Sequence, residues 1–348
     1  MTAMAFINIR PIVKIDGEED SDFRQALSSF VINLPLHGSA HGELTANNWI
    51  ASGDAATQDF GFQAVGFGKT LDISMGEDEQ QLLFSGEITG IEERYGDGTP
   101  QLVVLVQDKL HRLARSRNNR VFEQQSVDDV ISTIAGELGL SPDVNVSTTT
   151  ATFHQVNESD LAFVTRLAGA FGVAVRIEGQ NLRARPETAD AEPLELSVHD
   201  SATKVRLLAD LNHQPTKITV KGFNPSNGES VSQDCEALDN APEGMTAKNI
   251  IEEVSWAGTN IVPQPFPRSQ GEAEAYAKTH FARLAKRFIS GDLICTGEPT
   301  LKSGREVDLS GVSPRFAGKY QVVHCVHCFD NARGFETRLK INRADGQR

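Results

Sequence analysis

The chain has 348 residues, a length typical of about two or three domains and sufficient to bury a core without disulfides. Hydrophobic residues make up 39% and charged residues 23%, which excludes a disordered or fibrous protein. Acidic residues outnumber basic residues by 47 to 33, so the formal charge is -14, which argues against a protein that grips nucleic acid through a basic face.

Residues 1–110 show the pattern of short β-strands separated by turns. The candidate strands are apolar or β-branched runs: Phe6–Val13, Phe30–Leu36, Phe60–Phe67, Thr70–Met75, Leu82–Ile91 and Leu102–Val106. Tyr95–Gly98 is typical of a hairpin turn between the last two. We therefore predict a small barrel or sandwich. Because Leu102–Val106 is apolar throughout, we expect it to be covered on both faces, by its own chain or in an interface.

Residues 111–205 change to a helical period. Ser126–Leu138 begins with an N-cap and an acidic third position, which predicts a helix ended by Gly139. Apolar residues at steps of three and four predict a second helix over Glu158–Phe171. Val173–Arg185 is typical of a hairpin turned at its glycine, and Pro186–Pro193 of a surface linker. This block is predicted to be a compact α+β unit.

Residues 206–348 return to β. The candidate strands are Thr216–Phe223, Ile250–Trp256, Asp292–Thr296, Tyr320–His327 and Phe335–Ile341. A helix over Gln270–Ile289 is predicted to interrupt them. The first and third blocks end alike, each with a strand that begins at glycine, a polar hairpin and a closing apolar strand. The sequence therefore predicts a mainly β chain, two β modules around an α+β insert.

Two segments are weak candidates for phosphate or calcium binding. Gly68–Thr70 is similar to the end of a phosphate-binding loop, but Gln63 stands where that loop needs glycine, and a strand follows. We predict a hairpin turn there. The acidic run Asp16–Asp22 lacks the ligand and glycine spacing of a calcium loop, which favours a solvated loop.

His324–Cys328 is the strongest candidate for a metal cluster. Side chains alternate in a strand, which places Cys325 with His327 on one face and separates the two cysteines. We therefore favour a strand with small buried cysteines over a zinc site. His37 and His41 lie near glycines and are expected in a solvated loop.

A basic cluster stands out in this acidic chain: Arg112, Arg115, Arg117 and Arg120. We favour a solvated connection there; the alternative is a contact with carboxylates of a neighbouring subunit. The sequence contains no recognisable nucleophile elbow or paired metalloprotease histidines. No catalytic, cofactor-binding or metal-binding residue is therefore predicted, and an enzyme is not expected.

No membrane segment, secretory signal or disulfide framework is predicted. The longest apolar run has the length of a strand, far below the roughly 18 residues of a membrane helix. The N-terminus lacks the pattern of a secretory leader, and four scattered cysteines are too few for a disulfide framework. We expect a protein made and kept in a cytoplasm.

Several stretches together resemble the phage late control D family, the baseplate hub proteins of contractile tails, which are related to the hub part of VgrG spike proteins. The stretches are Leu83–Thr89, Val106–Leu113, Glu158–Ala168, Val220–Pro225 and Gly318–Thr337. They cover nearly the full length in the expected order. The resemblance implies two tube-like β-barrel domains, residues 1–110 and 206–348, flanking an α+β domain, residues 111–205.

The resemblance also implies a structural homotrimer that joins a hexameric inner tube to a trimeric spike. Its partners would be the inner tube or tube-initiator protein, a separate spike protein and other baseplate proteins. DNA or protein cargo would pass its lumen without specific binding, and no cofactor or membrane anchor is implied. The protein would be assembled in the bacterial cytoplasm as part of a tail baseplate or injection-system particle. We expect some of the excess carboxylates to line that lumen.

Two other functions remain open at this point. A phage-associated cell-wall or polysaccharide hydrolase would need paired carboxylates with separated pKa values, and spacing identifies no such pair. A carbohydrate-binding module would need exposed aromatic platforms, and the chain has only two tryptophans and three tyrosines.

Overall fold

The computed structural model of the chain describes residues 10–52, 57–62, 65–76, 80–96, 98–188, 192–225 and 227–347. The fold is mainly β, as predicted, and six helices lie within these residues. The first block contains β1 (Ile12–Ile15), β2 (Glu18–Glu19), α1 (Ser21–Ala26), β3 (Leu27–Pro35), β4 (His41–Asn47), β5 (Trp49–Ser52), β6 (Thr57–Phe60), β7 (Thr70–Met75), β8 (Gln81–Arg94) and β9 (Gln101–Gln107).

Four of the six strands predicted for this block are confirmed, as β3, β7, β8 and β9. The strand predicted over Phe60–Phe67 is wrong for the described part of that segment. Phe60 ends β6, and Phe62 has a positive φ of 60° that an extended strand does not adopt. Of Phe6–Val13, residues 6–9 lie outside the described residues, as does Asp97 in the predicted turn, and β1 begins at Ile12.

The middle block contains α2 (Leu110–Leu113), β10 (Arg117–Gln125), α3 (Val127–Glu137), β11 (Ser141–Val144), β12 (Ala151–Ser159), α4 (Asp160–Ala170), β13 (Arg176–Glu178) and β14 (Asn181–Ala184). Both predicted helices are confirmed. Ser126 and Asp129 form a reciprocal capping box at the start of α3, as their spacing predicted. The β13–β14 hairpin turns at Gly179, whose φ of 63° suits glycine.

The rest of the chain contains β15 (Leu194–Ser197), β16 (Ala202–Ala209), β17 (Lys217–Asn224), β18 (Glu229–Cys235), β19 (Met245–Thr246), α5 (Ala247–Glu253), β20 (Thr259–Val262), α6 (Gln270–Ala285), β21 (Ile289–Thr296), β22 (Glu306–Ser310), β23 (Gly318–Asp330), β24 (Gly334–Arg343) and β25 (Asp345–Gly346). Of these, β15 and the start of β16 lie before residue 206, although they join the sheet of the second module. The strands predicted at β17, β21, β23 and β24 are confirmed. The predicted helix begins at Gln270 but ends at Ala285, because β21 already begins at Ile289.

The strand predicted over Ile250–Trp256 is wrong, because α5 occupies most of that segment. Thr246 and Asn249 form a capping box that starts the helix. Ala247 and Ile251, one helical turn apart, are the side chains that α5 buries. The apolar run therefore reflects one buried helix face rather than a strand.

One thirteen-stranded sheet contains strands of both β modules. Its main path is β16-β21-β24-β23-β3-β4-β9-β8-β7-β1-β2, and β22 and β15 branch from β23. The two modules meet where β3 pairs antiparallel with β23, with Ile32 opposite His327. No closed barrel forms among the described strands of this chain.

Four hydrophobic clusters lie against these elements. One core lies under the first module and includes Phe30 and Ile32, and another lies under the second and includes Leu339. Leu34 packs against both. The middle block has its own core around α3 and α4, and α6 packs on β17 and β18 over a fourth. The division into residues 1–110, 111–205 and 206–348 stays a prediction.

Gly222 provides a test of close packing in β17. A Cβ at this position would overlap the backbone oxygen of Pro267, which also accepts a hydrogen bond from the Phe223 amide at 3.2 Å. We expect Gly222→Ala to lower the free energy of unfolding by about 1–3 kcal/mol, because the backbone at Pro267 must shift. Urea unfolding followed by circular dichroism measures this.

Gly136→Ala is the matched control. Gly136 lies in α3 with open space around it, so alanine is expected to raise stability by about 0.5–1 kcal/mol through its helix propensity. Equal unfolding midpoints for Gly222→Ala and the wild type would contradict the packing argument.

Candidate assembly surface

One face of the thirteen-stranded sheet carries the cores, and the opposite face carries mostly polar side chains. On β3, Phe30 and Ile32 are buried while Val31 between them is 40% exposed. On β4, Leu44 is buried and the neighbouring Glu43 reaches solvent. We call the second surface the polar face; it comprises the outward side chains of β16, β21, β24, β23, β3, β4, β9 and the C-terminal half of β8.

The polar face is basic where it is formed by β16, β21, β24 and β23. Four cations alternate along two of these strands and define the basic end: Lys204 and Arg206 on β16, and Arg338 and Lys340 on β24. They line a trough of about 430 Å³ together with Asp292, which approaches Arg206 at 3.9 Å. Sequence reasoning missed this end, although the two-residue spacing of the cations was a visible signal.

Some buried polar atoms at the basic end have no hydrogen-bond partner among the described residues. His324 Nε2, Arg338 Nε and Asn342 Oδ1 are buried and find no hydrogen-bond partner among them. Burial lowers the pKa of His324, and the nearby Lys340 lowers it further. Unpaired buried polar atoms are costly, so a partner that binds here would relieve an existing cost.

The opposite end of the polar face is acidic. We define the acidic end by Glu43 on β4 and Glu92 on β8; Glu93 lies opposite the core residue Leu102 and belongs to the other face. Arg94 Nε donates a hydrogen bond to Glu92 at 2.8 Å, which lowers the pKa of that carboxyl, and Arg94 approaches Glu43 at 3.4 Å. The two ends of one surface therefore carry opposite charge.

A row of three apolar side chains and the Glu43 carboxylate crosses the polar face. Cys328, Val31, Glu43 and Leu105 lie side by side on β23, β3, β4 and β9. Leu105 is 38% exposed within this chain, because its neighbour on β8 is a glycine, so its cover in an interface stays a prediction. The other four residues of Leu102–Val106 are buried.

A buried carboxylate fixes the middle block to the sheet. Glu87 on β8 has a side chain only 6% exposed, and it accepts hydrogen bonds from His111 Nε2 and Arg112 Nε, both at 2.8 Å. Burial by itself would raise the pKa of Glu87, but these hydrogen bonds outweigh it and hold the pKa below its usual value. Because His111 and Arg112 belong to α2, this contact sets the position of that helix.

Asp108 reinforces the same junction. Its carboxylate accepts hydrogen bonds from the Ser39 hydroxyl at 2.6 Å, the Ala40 amide at 2.7 Å and the Leu110 amide at 3.0 Å. Burial raises its pKa. Both oxygens are thus occupied by structural partners, and Asp108 connects the end of β9 to the loop after β3.

The remaining arginines of the basic cluster also bind within their own chain. Arg120 donates hydrogen bonds to Glu137 at 2.8 Å and to Asp160, and Arg117 donates to the Asn157 carbonyl at 2.8 Å. Arg112, Arg115 and Arg117 are nevertheless exposed, which fits a solvated connection, and the subunit contact stays a prediction. The segment folds as α2 and β10, so its side chains meet carboxylates brought there by the fold.

The histidine and cysteine cluster lies in β23, as predicted. Cys325 and His327 share a face and are fully buried. His327 accepts from the Thr337 hydroxyl at 3.1 Å and donates to the Leu301 carbonyl at 3.0 Å, and burial lowers its pKa to about 4. Within the described ranges, no group of three or more histidine, cysteine or acidic residues is placed to hold a metal ion.

The phosphate-loop candidate is a turn, as predicted. Gly68 has a φ of 77° and donates to the Ile88 carbonyl at 2.8 Å just before β7, while Gln63 lies outside the described residues. The acidic run is not only a solvated loop, because it forms β2 and caps α1: the Phe23 amide donates to Asp20 at 2.8 Å.

Two segments expected to be solvated are partly structured. His37 lies in a loop, where burial lowers its pKa, but His41 begins β4. In the predicted linker, Glu187 is 15% exposed and accepts hydrogen bonds from Arg176 and Arg183, both at 2.6 Å. Residues 189–191 of that linker lie outside the described residues.

No helix in the described part of the chain is both long and apolar enough to span a membrane.

The chain is similar to one protein family model and to several solved structures. A family model described as Alg8 N-terminal domain matches residues 13–331. No curated protein sequence matches the chain at a significant level. Among solved structures, the 43 kDa tail protein of prophage MuSo2 from Shewanella oneidensis is similar over 97% of this chain and 99% of its own, with a TM-score of 0.74 and 16% identity.

Two further structures extend this likeness. The tail protein from Neisseria meningitidis MC58 is similar over 96% of both chains, with a TM-score of 0.68 and 12% identity. An E. coli protein described as a component of the type VI secretion system is similar over 97% of this chain and 78% of its own, with a TM-score of 0.53 and 14% identity. At such identities these comparisons establish a shared fold.

The junction at Glu87 yields a stability prediction. Glu87→Gln removes the charge that His111 and Arg112 bind, so we expect a loss of about 2–3 kcal/mol in the free energy of unfolding. Glu92→Gln, which alters a fully exposed carboxylate on the same strand, is expected to change nothing measurable. Urea denaturation of both variants at pH 7 compares them. Equal stabilities of the two would contradict the role of Glu87.

His327 yields a prediction about pH. The unfolded chain takes up this proton near pH 6.5, whereas the folded chain does so only near pH 4. The contribution of neutral His327 is therefore complete above pH 6.5 and is lost as pH falls towards 4, at roughly 1.4 kcal/mol per pH unit, or about 3 kcal/mol in total.

His327→Gln is expected to lose this part of the acid sensitivity, whereas the exposed His199→Gln is expected to keep it. Free energies of unfolding measured in urea at pH 7, 6 and 5 give the slopes. A His327→Gln slope equal to that of the wild type would refute the assignment.

Proposed function

The chain belongs to the Alg8 N-terminal domain family, and we propose that it is the baseplate hub of a contractile phage tail or a phage-tail-like injection system. In this role it forms a homotrimer that joins the hexameric inner tube to a trimeric spike, which is a separate protein. The observation that carries the proposal is the fold, which matches tail proteins over nearly the whole length of both chains.

The sheet supports the adapter role. Each β module contributes a four-stranded antiparallel unit, β16-β21-β24-β23 from the second and β3-β4-β9-β8 from the first. Three copies would present six such units, which matches the number of subunits in a hexameric tube ring. We propose residues 1–110 and 206–348 as the two tube-like domains and residues 111–205 as the α+β domain, with the late control D proteins as relatives.

The chemistry of the buried carboxylates supports a structural rather than an enzymatic role. Glu87, Asp108 and Glu187 have shifted pKa values, and each is held by hydrogen bonds from its own chain. A hydrolase would need two carboxyl groups free to exchange protons with a substrate. We therefore propose no catalytic, cofactor or metal site.

The proposed partners follow from this role. They are the inner tube or tube-initiator protein, the separate spike protein and other baseplate proteins, with DNA or protein cargo passing through. We propose assembly in the bacterial cytoplasm and incorporation into a tail baseplate or injection-system particle, without membrane anchoring.

The mass of the assembly tests the proposal. We expect multi-angle light scattering to give three times the chain mass of 37.9 kDa, alone or with co-expressed tube and spike proteins. A stable monomer in the presence of both partners would contradict the hub role, and turnover of peptidoglycan that is lost on changing one acidic residue would favour the hydrolase.

A further inference from the structure

A cleft of about 470 Å³ lies where the two β modules and the middle block meet, and we call it the junction cleft. Five consecutive residues of β8, Gln81–Ser85, line one side of it, and Arg176–Gly179, which form β13 and the start of its turn, line another. Because successive side chains of a strand point to opposite faces, a cavity over one face contacts every second residue. A cavity that contacts consecutive residues therefore lies at the edge of the strand.

The edge of β8 in the junction cleft has no partner strand in the described part of the chain. β9 pairs with the other half of β8, from Arg94 back to Glu87, which lies opposite Gln107. There β9 ends, because the chain turns into α2, and the carboxylate of Asp108 caps that turn. No described strand continues the row of β9 alongside Gln81–Ser85.

The backbone of this edge is directed towards the junction cleft. The Ile88 amide donates to the Lys69 carbonyl at 2.9 Å, and the Ile88 carbonyl accepts from the Gly68 amide, so both groups of Ile88 point towards β7. Successive residues alternate in direction, which turns the amide and carbonyl of Ser85 to the opposite side. β13 is also an edge strand, since β14 is its one partner among the described strands. Open strand edges are templates for a further strand.

We propose that the junction cleft binds an extended segment of another baseplate protein, which adds to the Gln81–Ser85 edge of β8 as a further strand. Main-chain hydrogen bonds supply affinity in this mode of recognition, and the side chains that line the cleft supply specificity. The inference rests on the proposed function for the identity of the partner. It adds the place of the contact, its geometry and the chemistry of the bound segment.

The apolar lining favours an apolar side chain in the bound segment. Leu82 lines the junction cleft and is 56% exposed, and Ile177 of β13 is partly exposed beside it. Leu301 forms part of the same lining. An added strand would cover Leu82 and remove its apolar surface from water, which is favourable.

The charges favour a carboxylate in the same segment. Lys302 has a side chain 56% exposed, and it approaches Glu178 at 4.0 Å, whereas Arg176 binds that carboxylate at 2.9 Å. Among the lining residues, Arg176, Lys302 and Arg305 outnumber Glu178 and Asp108. Both oxygens of Asp108 already accept hydrogen bonds within the chain. An acidic residue near Lys302 would therefore meet complementary charge.

Amide hydrogen exchange of the full-length protein tests the added strand. Exchange is measured by mass spectrometry on the protein alone and in complex with co-expressed tube, spike and other baseplate proteins of the same particle. We expect the amides of Gln81–Ser85 to exchange about tenfold or more slowly in the complex, because new backbone hydrogen bonds protect them. Protection already present in the homotrimer alone would assign this edge to a second copy and overturn the proposed partner.

Two variants separate a direct contact from an indirect effect. Leu82→Asp and Lys302→Glu change exposed side chains of the junction cleft, and each is expected to restore most of the fast exchange at Gln81–Ser85 in the complex. Lys319→Glu is the matched control for the charge change, because it alters an exposed lysine outside the cleft, and it is expected to leave the protection intact.

The outcomes distinguish this contact from the hub proposal. A complex in which Gln81–Ser85 exchanges as fast as in the free protein would overturn the added strand and leave the hub proposal intact. Protection that neither cleft variant reduces would do the same. A wild type that stays monomeric and binds none of these proteins would overturn the hub proposal, and this contact with it.

Discussion

The pairing of β3 with β23 is the contact on which the rest of the structure depends. It joins residues 29–35 to residues 324–330, so the two ends of the chain must meet before either module has its full sheet. Leu34 packs into both cores beside this seam, and its carbonyl accepts a hydrogen bond from Ser303, which is 269 residues away in sequence. Because backbone hydrogen bonds connect β3 of the first module to β23 of the second, the two modules are held in one orientation. Their outward side chains form one continuous surface with opposite charge at its two ends.

The features that sequence reasoning predicted are those that neighbouring residues determine. The capping box at Ser126 and the strand β7 lie within a few positions of the signals that specify them. The predictions that were wrong or incomplete depended on residues far away in the sequence or on two local signals that favour different structures. The partner of Arg112 is a carboxylate on β8, which no local pattern indicates, and the adjacent isoleucines of α5 are typical of a strand until the cap at Thr246 is considered. Of the candidate assembly surface, only the alternation of single strands was predictable, because its continuity depends on strand order.

The stretches that carried the family resemblance can now be understood physically. Leu83–Thr89 contains Gly86, where a side chain would overlap the backbone of Gln107, and Glu87, which binds α2. Val106–Leu113 supplies the other half of that junction, including Asp108. These residues hold the middle block against the sheet. Such stretches identify a fold rather than a chemical activity, which agrees with the structural role proposed here.

The buried thiols have a consequence for durability. Burial raises the pKa of Cys295 to about 12, so roughly one molecule in 10⁵ carries the reactive thiolate at pH 7, and the thiol of Cys325 is shifted in the same direction. In the proposed role, the protein would leave a reducing compartment for an oxidising one when the particle is released from its host. In that environment the cysteines in the core beneath the second module would be oxidised slowly, because oxidation and disulfide exchange both begin from the thiolate.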